Sequence, residues 1–520
     1  MIYVILGQTA SGKTKTAISL ARELHLPIIS ADAYQCFKMM QIGTDKPSKE
    51  EVDGLDYYFY DEYEPDKEMS VFDFQKECRP ILEKYVQEGK DVLVVGGTFL
   101  YIKALLFNYV FTNDEKKTKD YSSLPLDELQ RELKERSLDT YNSIDYQNPR
   151  RVIRAFSQLD EGTTHNEIIA KNEDQPLYPT TFLKIDIDKE DGNKLIDERV
   201  EKMFASGFED EVKRLLKIYP ADLRAFLSIG YQEMIAGLKE NQPISDIKEL
   251  IKVHTHQLAK KQRTFLRNQF SNVYSGSAIE VSSLIRNSIL LKERTRLILN
   301  PYALNVLESA SVLQAGVGGV GGEALLGLAR LGIPSFTIID GDQVEPSNLN
   351  RQSLFFYDDI GKRKAVQAGL RLKAINPLVQ VAPLDEVIKT EADLPSKRFT
   401  YIIDCIDDVN AKCLLYEKAL KDHSYYLTSM GLGFHADSTK VRYGKLPLAF
   451  DPLSKAFKEN LKKRGHSDQE IAKIDIVYAI DARIKGKKND QTIGSLPTVP
   501  PSGGLALVSL ILSWLLERKR

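Results

Sequence analysis

Residues 7–14 read GQTASGKT, set between the apolar run IYVIL (2–6) and the amphipathic run KTKTAISLAREL (13–24). A strand that ends in such a glycine turn and re-enters as a helix aims backbone amides, the positive helix end and the Lys13 ammonium at one spot. That spot binds phosphate. The pattern GxxxxGKT therefore makes the start of the fold α/β, with a parallel sheet whose ligands gather at the carboxyl ends of its strands. LPIIS ends at Ala31-Asp32, DVLVVGG ends at Thr98, and TTFLKIDID (180–188) reads as a strand returning to the same sheet. The text between about 113 and 175 is polar, charged and helical. The first half is thus a P-loop NTPase-like parallel sheet over 1–112 and 176–275, with a helical insertion over 113–175.

A second glycine turn, AGVGGVGG, lies more than 300 residues downstream, and 520 residues suffice for two to four domains. SVLQAG, SFTIIDGD and FTYIIDCID supply its strands, so 292–520 is read as a second, Rossmann-like α/β domain behind a linker at 276–291, where periodicity lapses. An apolar fraction of 42% is enough for both cores. The net charge of -2 excludes a wholesale polycation and leaves local basic patches as the route to nucleic acid. Four cysteines without a CxxC pair argue against a zinc ribbon or a disulfide framework and fit a reducing cytoplasm. The first strand starts almost at Met1, leaving no room for a leader peptide. The apolar run LALVSLILSWLL (505–516) is twelve residues, short of the roughly 20 that cross a bilayer, so it is expected to be a buried helix of a soluble, cytoplasmic protein.

The first loop holds a di- or triphosphate, but the motif does not say what becomes of it. Nucleotide-hydrolysing sites put an acid at the end of a later strand to hold magnesium. Here DVLVVGG ends in Gly-Gly-Thr, and the acid stands at Asp32 instead, as a base facing the ligand or as a mere turn aspartate. Further motifs are SADAYQCFKMMQIGTDKP (30–47), GGTFLY (96–101), NPRRVIRAF (148–156), ASGFEDEV (205–212), SIGYQE (228–233) and HQLAKKQRTFLR (256–267). With them, residues 1 to about 275 resemble the tRNA dimethylallyltransferases in the family's own order. The resemblance implies that Gly7, Gln8, Thr9, Ala10, Ser11, Gly12, Lys13 and Thr14 cradle the departing diphosphate of dimethylallyl diphosphate. It implies that Thr14 puts its hydroxyl on Mg2+, that Asp32 takes the proton of the attacking amino group of adenosine 37, and that Thr9 orients that group. The flipped-out base would meet Asp32, Ala33, Tyr34, Gln35 and Thr98. Arg150, Arg151 and Arg154 would contact the tRNA backbone. Lys252 to Arg267 holds five basic residues and no acid, with Lys260 and Arg267 expected on tRNA, unless these runs are solvated helix faces. Three positions depart from the family: Gln8 for proline, Asp45 for alanine, and Leu227 where many members carry arginine or glutamine.

In the second half, a GxGxxG turn alone would suggest a dinucleotide. The text that follows it, IIDGDQVEPSNLNRQSLF (338–355), IGKRKA (360–365) and IIDCIDD (402–408), is similar to the ubiquitin-activating-type adenylating domains. The resemblance implies ATP bound over Gly316, Gly318, Gly319 and Gly321, with Asp340 on the ribose and Asp342, Asn348 and Gln352 beside it. Arg351 and Lys364 would neutralise the triphosphate and serve catalysis, and Asp407 would hold Mg2+. Carboxylate attack on the α-phosphate would give an acyl adenylate and pyrophosphate. No cysteine follows Cys413, which excludes thioester transfer in that later region and a zinc site built of two CxxC pairs. Cys405 and Cys413 are expected at a strand end and on a helix face. The tail over 451–481 and 494–516 is similar to the tRNA threonylcarbamoyladenosine dehydratase branch. Lys455, Lys458, Lys462, Lys463 and Arg464 form a face suited to tRNA or to water.

The leading reading is a bifunctional tRNA-modifying enzyme acting at adenosine 37, with the tRNA anticodon stem-loop as partner, ATP and dimethylallyl diphosphate as substrates, and a homodimer through the C-terminal half. Two alternatives stay open. One is a P-loop kinase fused to an adenylating enzyme for a ubiquitin-like sulfur-carrier protein. The other is a non-catalytic tRNA binder, should Leu227 mark decay.

Overall fold

The computed structural model describes residues 1–109, 121, 124–160, 176–484 and 493–517. They form two compact units, Met1–Ser282 and Ser283–Arg520. The segments 113–120 and 161–175 of the expected insertion lie outside the described residues, as does the side chain of Arg150.

The first unit is built on six parallel strands in the order β3-β2-β4-β1-β5-β6. They are β1 Ile2–Leu6, β2 Ile28–Ser30, β3 Tyr57–Tyr58, β4 Val92–Val95, β5 Thr180–Ile185 and β6 Tyr274–Gly276. β1 and β4 are buried along their whole length, which is why they read as unbroken apolar runs and not as alternation. β1 pairs with β4 on one side and β5 on the other. Strand order reverses there, so the 7–14 loop leaves β1 at the point where open α/β sheets gather ligands. The helix Lys13–Leu24 returns along the sheet with Thr16, Ala17, Leu20 and Ala21 buried, the spacing of one helical face. The insertion contributes helices Leu126–Arg136, Leu138–Ser143 and Pro149–Asp160. They close over a small core of their own, from Tyr121, Leu129, Leu133, Val152, Ala155 and Phe156. Residues 276–291, read as a linker, are instead helical over Ala278–Leu291. β6 ends just before them.

The second unit holds a seven-stranded sheet in the order β12-β13-β11-β10-β7-β8-β9. The strands are β7 Ser311–Ala315, β8 Ser335–Ile339, β9 Gln380–Leu384, β10 Tyr401–Asp404, β11 Tyr425–Ser429, β12 Val441–Lys445 and β13 Asp475–Ala479. All neighbours are parallel except β12 and β13. Pro383 is tolerated in β9 because that strand is an edge. The C-terminal helix runs Val499–Glu517, 19 residues and not twelve, because VPPSGG upstream is helical too. By length and hydropathy it could cross a bilayer, yet half of its apolar stretch is buried within the unit. Gly504 shows the contact: a Cβ there would lie 2.4 Å from the Val320 carbonyl oxygen on the helix Gly319–Arg330.

Beneath β10 and β11 lies a fully buried ion pair that sequence reading did not anticipate. Lys412 Nζ donates to Asp404 Oδ1 at 3.1 Å, to Thr428 Oγ1 at 2.7 Å and to the Ser429 carbonyl at 3.0 Å. Asp404 Oδ2 also accepts from Tyr426 and Thr428 hydroxyls. Removing one partner of such a pair leaves the other charge buried and uncompensated. Lys412→Ala is therefore expected to cost the second unit about 3–5 kcal/mol, seen as an earlier urea transition of that unit. Replacing Lys412 and Asp404 together by methionine and leucine should recover most of the loss.

Candidate active sites

In the first unit the loop is shaped by two left-handed glycines, Gly7 (φ 154°) and Gly12 (φ 81°), and by Ala10 (φ 62°). It opens on a cavity of about 470 Å³ lined by Thr9 to Lys15, Asp32, Tyr34, Gln35 and Thr98. Lys13 is buried there, and its Nζ donates to the Gln8 carbonyl at 2.6 Å. Burial pulls its pKa down to about 8, opposed by the nearby charges of Asp32 and Asp45 and aided by Arg199. Thr9 is held twice. Its amide donates to Gln262 Oε1 at 2.7 Å and its hydroxyl accepts from Arg199 Nη1 at 2.9 Å. Gln262 in turn donates to the Gly97 carbonyl at 3.0 Å, tying the loop to the end of β4.

Asp32 stands one residue past the Ala31 that follows β2. Its Oδ1 accepts from the Tyr34 and Gln35 amides at 3.0 and 3.3 Å, the Asx-turn role, and the carboxyl lines the cavity as well. Oδ2 lies on the side of Gly97, where a Cβ would stand 4.0 Å from it. Thr98 Oγ1 accepts from the Ala33 amide at 3.0 Å, so Thr98 braces the turn that carries Asp32. Gln35 donates to the carbonyls of Thr44 and Asp45. The loop over 41–43 is pinned from the other side by the buried Glu211, which accepts from the amides of Gln41, Ile42 and Gly43 and from the Tyr231 hydroxyl.

Several residues sit differently from their expected places. Gly7 and the Gln8 side chain do not line this cavity. Gln8 Oε1 accepts from Arg263 on the far side of the loop. Ala33 does not line the cavity and meets the site through its amide, which donates to Thr98 Oγ1. Arg151 and Arg154, by contrast, are not displaced: both lie exposed on the insertion helix Pro149–Asp160, where Arg151 is 3.8 Å from Asp145. Lys252 belongs to no open basic stripe, because Glu201 and Glu249 hold its Nζ at 2.9 and 2.7 Å. Leu227 lines the cavity, 54% exposed, and brings no charge to it. Arg199, Gln262 and Glu211 were missed as site residues. The first two stood in helical text whose facing is set only by the fold, and Glu211 was hidden beside two other acids, Glu209 and Asp210.

In the second unit a cavity of about 840 Å³ opens at the ends of β7, β8 and β10. Every expected nucleotide residue except Gly321 lines it: Gly316, Gly318 and Gly319, then Asp340, Asp342, Asn348, Arg351, Gln352, Lys364 and Asp407. Gly321 is structural, since a Cβ there would sit 2.0 Å from the Gly316 carbonyl oxygen. Asp340 accepts from the Val317 and Asp342 amides at 2.8 and 3.0 Å, which anchors the glycine loop to β8. Burial nevertheless pushes its carboxyl pKa upward. Lys364 begins the helix Lys364–Ile375 and meets Asp342 at 2.8 Å. Arg351 donates to the Ser347 carbonyl and to Asn350 Oδ1, both at 2.9 Å. Cys405 follows β10 and Cys413 is buried in the helix Val409–Asp422, as expected. Burial pushes their thiols to about 12 and about 11, which leaves no thiolate for transfer chemistry. The basic face at 455–464 is partly neutralised: Lys462 pairs with Asp468 and Arg464 with Glu417. Arg483 lines the cavity and was not foreseen.

Residues 35–269 match the IPP transferase family and residues 293–518 the ThiF family. The tRNA dimethylallyltransferase of Bacillus velezensis is 34% identical over 276 residues, 52% of this chain and 88% of that protein. That of Exiguobacterium sibiricum is 34% identical over 294 residues, 54% of this chain and 90% of its own. Among solved structures, a eukaryotic dimethylallyltransferase acting on tRNA is 23% identical over 56% of this chain and 79% of that one, with a TM-score of 0.51, a likeness of fold. The E. coli tRNA N6-threonylcarbamoyladenosine dehydratase is 27% identical over 45% of this chain and 94% of its own, with a TM-score of 0.39. Through its first half the chain belongs to the tRNA dimethylallyltransferase family, and a ThiF-family domain follows it.

Proposed function

We propose that the chain carries out two modifications of adenosine 37 in tRNA: dimethylallyl transfer to the adenine amino group in the first unit, and ATP-dependent cyclisation of threonylcarbamoyladenosine in the second. The observation that carries the first is one cavity lined by the phosphate loop from Thr9 to Thr14, by Asp32 and by Thr98, with glycine in place of an acid at the end of β4. Phosphotransfer from a nucleotide would want that acid. Loss of a diphosphate needs charge stabilisation at the loop and a base on the opposite side.

The amides of Gly12 to Thr14 and the Lys13 ammonium would meet the diphosphate, and Arg199 stands beside them on Thr9. As the allylic C–O bond breaks, the electron pair leaves with the diphosphate, where these donors stabilise it most. The adenine nitrogen forms the new C–N bond and gives its proton to Asp32 through Oδ2, while Oδ1 stays in the turn. Magnesium fits the donors present. Among the described residues no group of three His, Cys, Asp or Glu could cage an ion, whereas Thr14 and Asp407 would each offer a side-chain oxygen to an ion brought in with the phosphates. When bound it would neutralise charge on those phosphates.

In the second unit the ordered set Asp340, Arg351, Lys364 and Asp407 around one cavity supports ATP binding. The carboxylate of threonylcarbamoyladenosine would attack the α-phosphate, with pyrophosphate leaving beside Arg351 and Lys364. Ring closure would then displace AMP. The absence of a reactive thiol at Cys405 or Cys413 supports direct use of the adenylate. The dehydratase branch is supported by the tail motifs over 451–481 and 494–516.

Mass analysis of nucleosides from tRNA treated with protein plus dimethylallyl diphosphate, or plus ATP, tests both halves. Asp32→Ala should lower isopentenyladenosine formation by at least about 100-fold and leave the cyclic product intact; Arg351→Ala should do the reverse. Absence of both products with the native chain would sink the bifunctional reading. A pH prediction follows from Lys13. Its folded pKa is depressed to about 8, so the free site loses its positive charge as pH rises through that value, and an anion that needs the charge binds more weakly above it. Affinity for dimethylallyl diphosphate, measured calorimetrically, should weaken about tenfold from pH 7 to pH 9; Lys13→Arg should abolish that dependence.

A further inference from the structure

Among the residues lining the large cavity of the second unit, Arg483 has no place in the nucleotide set. Strand order shows where it stands. Along the carboxyl edge of the sheet, Asp340 follows β8, the glycine loop follows β7, Asp407 follows β10, Gly431 follows β11 and Arg483 follows β13. Neighbouring strands lie about 4.8 Å apart, so three steps from β7 put the chain after β13 about 14 Å from the glycine loop. That is the side away from Asp340. Arg351 and Lys364 come from the segment that follows β8, on the Asp340 side. The two expected triphosphate cations thus belong to one side of the glycine loop, and Arg483 to the other.

The wall that carries Arg483 is tied together from three segments of chain. The Phe434 amide donates to the Gly494 carbonyl at 2.8 Å, and the Ile484 amide donates to the Phe434 carbonyl at 2.7 Å. Asp481 accepts from the amides of Ala436 and Asp437 and lies 2.8 Å from Nδ1 of the buried His435. These ties hold Phe434 at φ 64°, a left-handed backbone that a bulky side chain seldom adopts. The Arg483 guanidinium lies over the Phe434 ring, 5.4 Å from its centre. Contact through the guanidinium face leaves its N–H edge free to donate. Arg483 is in no ion pair among the described residues. Asp451, the cavity carboxylate beside Gly431, already gives Oδ1 to the amides of Gly431, Leu453 and Ser454. A fixed, unpaired cation therefore faces the cavity.

We propose that Arg483 receives the carboxylate of the acyl substrate and directs it at the α-phosphorus of ATP, an assignment that rests on the adenylating function proposed for this unit. Two anions must meet there. A guanidinium offsets their repulsion, and its fork fixes the plane of a carboxylate. In an in-line displacement the entering and leaving oxygens stand on opposite sides of phosphorus. With Arg351 and Lys364 on the leaving side, the carboxylate enters from the side of β11 and β13, where Arg483 stands. One carboxylate oxygen forms the bond to the α-phosphorus. The bond from that phosphorus to the bridging oxygen breaks, and its electron pair leaves with pyrophosphate; no proton moves.

The test follows AMP release by the full-length protein from ATP and a synthetic anticodon stem-loop bearing threonylcarbamoyladenosine. AMP release reports the second unit alone, whatever RNA the first unit holds. The methyl ester of the same stem-loop, which has no carboxylate to adenylate, serves as inhibitor. Arg483→Ala should lower kcat/KM for the stem-loop by at least about tenfold. The inhibition constant of the ester and the KM for ATP should stay within about twofold of native, since neither ligand makes the lost contact. Arg483→Lys should restore part of the rate. An unchanged kcat/KM overturns the assignment. So does an ester that weakens as much as the substrate, which marks a contact to RNA, or a raised KM for ATP, which puts Arg483 on the triphosphate. Native protein that releases no AMP with this stem-loop fails the adenylating function itself, and the role of Arg483 with it.

Discussion

Both candidate sites depend on parallel strand ends coming closer together than side chains permit. In the first unit, a Cβ on Gly96 would lie 2.1 Å from the Ala31 carbonyl oxygen. Because that position is glycine, β4 and β2 converge, the Thr98 amide reaches the Ala31 carbonyl at 3.1 Å, and Thr98 and Asp32 come to share one turn. In the second unit, a Cβ on Gly316 would stand 2.9 Å from the Cys405 carbonyl oxygen, and the glycine loop lies against the end of β10. Asp340 and Asp407 reach the same cavity because of it. A larger residue at either glycine would separate groups that must act on one ligand.

Behind these approaches stand buried charges that fix the loops. Glu211 satisfies three amides of the 41–43 turn and so fixes the segment that leads into the cavity-lining residues Gly43 to Pro47. Gly43 belongs to the same arrangement, since a Cβ there would meet the Phe208 and Tyr231 rings at 2.4 Å. Lys412 and Asp404 do comparable work under β10, holding the Thr428 hydroxyl and the Ser429 carbonyl next to the cavity floor. In both units an ionised side chain is fully hydrogen-bonded where burial would otherwise be prohibitive. Such groups give the loops a single geometry, which positioned catalysis requires.

Legibility from sequence followed the range of the signal. The loop at 7–14, β1, β2, β4 and β5 were readable because apolar runs and glycine turns are local. β3 and β6, two and three residues long, have no period to detect. The helix Ala278–Leu291 was read as a linker because its apolar residues are not confined to one stripe. Asp32, Lys13, Arg351 and Lys364 could be named as site residues from motif order. Arg199 and Gln262 could not, because they reach Thr9 across 190 and 253 residues of chain. The basic run at 252–267 misled in the other direction: composition showed its charge but not Glu201, which comes from another helix to hold Lys252.

Both units set a glycine loop at the end of a strand, and the carboxylates at the neighbouring strand tips are held differently. Asp340 gives both oxygens to backbone amides, one to Val317 and one to Asp342. Protonating it would break one of the bonds that hold the glycine loop, so its proposed task is to accept hydroxyl hydrogens while staying fixed. Asp32 gives only Oδ1 to its turn. Its second oxygen can take a proton without loosening the turn, because the two amide bonds and the Thr98 brace remain. A base that must change charge during the reaction needs that division of labour between its oxygens. The sequence Ser-Ala-Asp-Ala-Tyr-Gln achieves it by letting the residues just after the acid supply the amides for one side only.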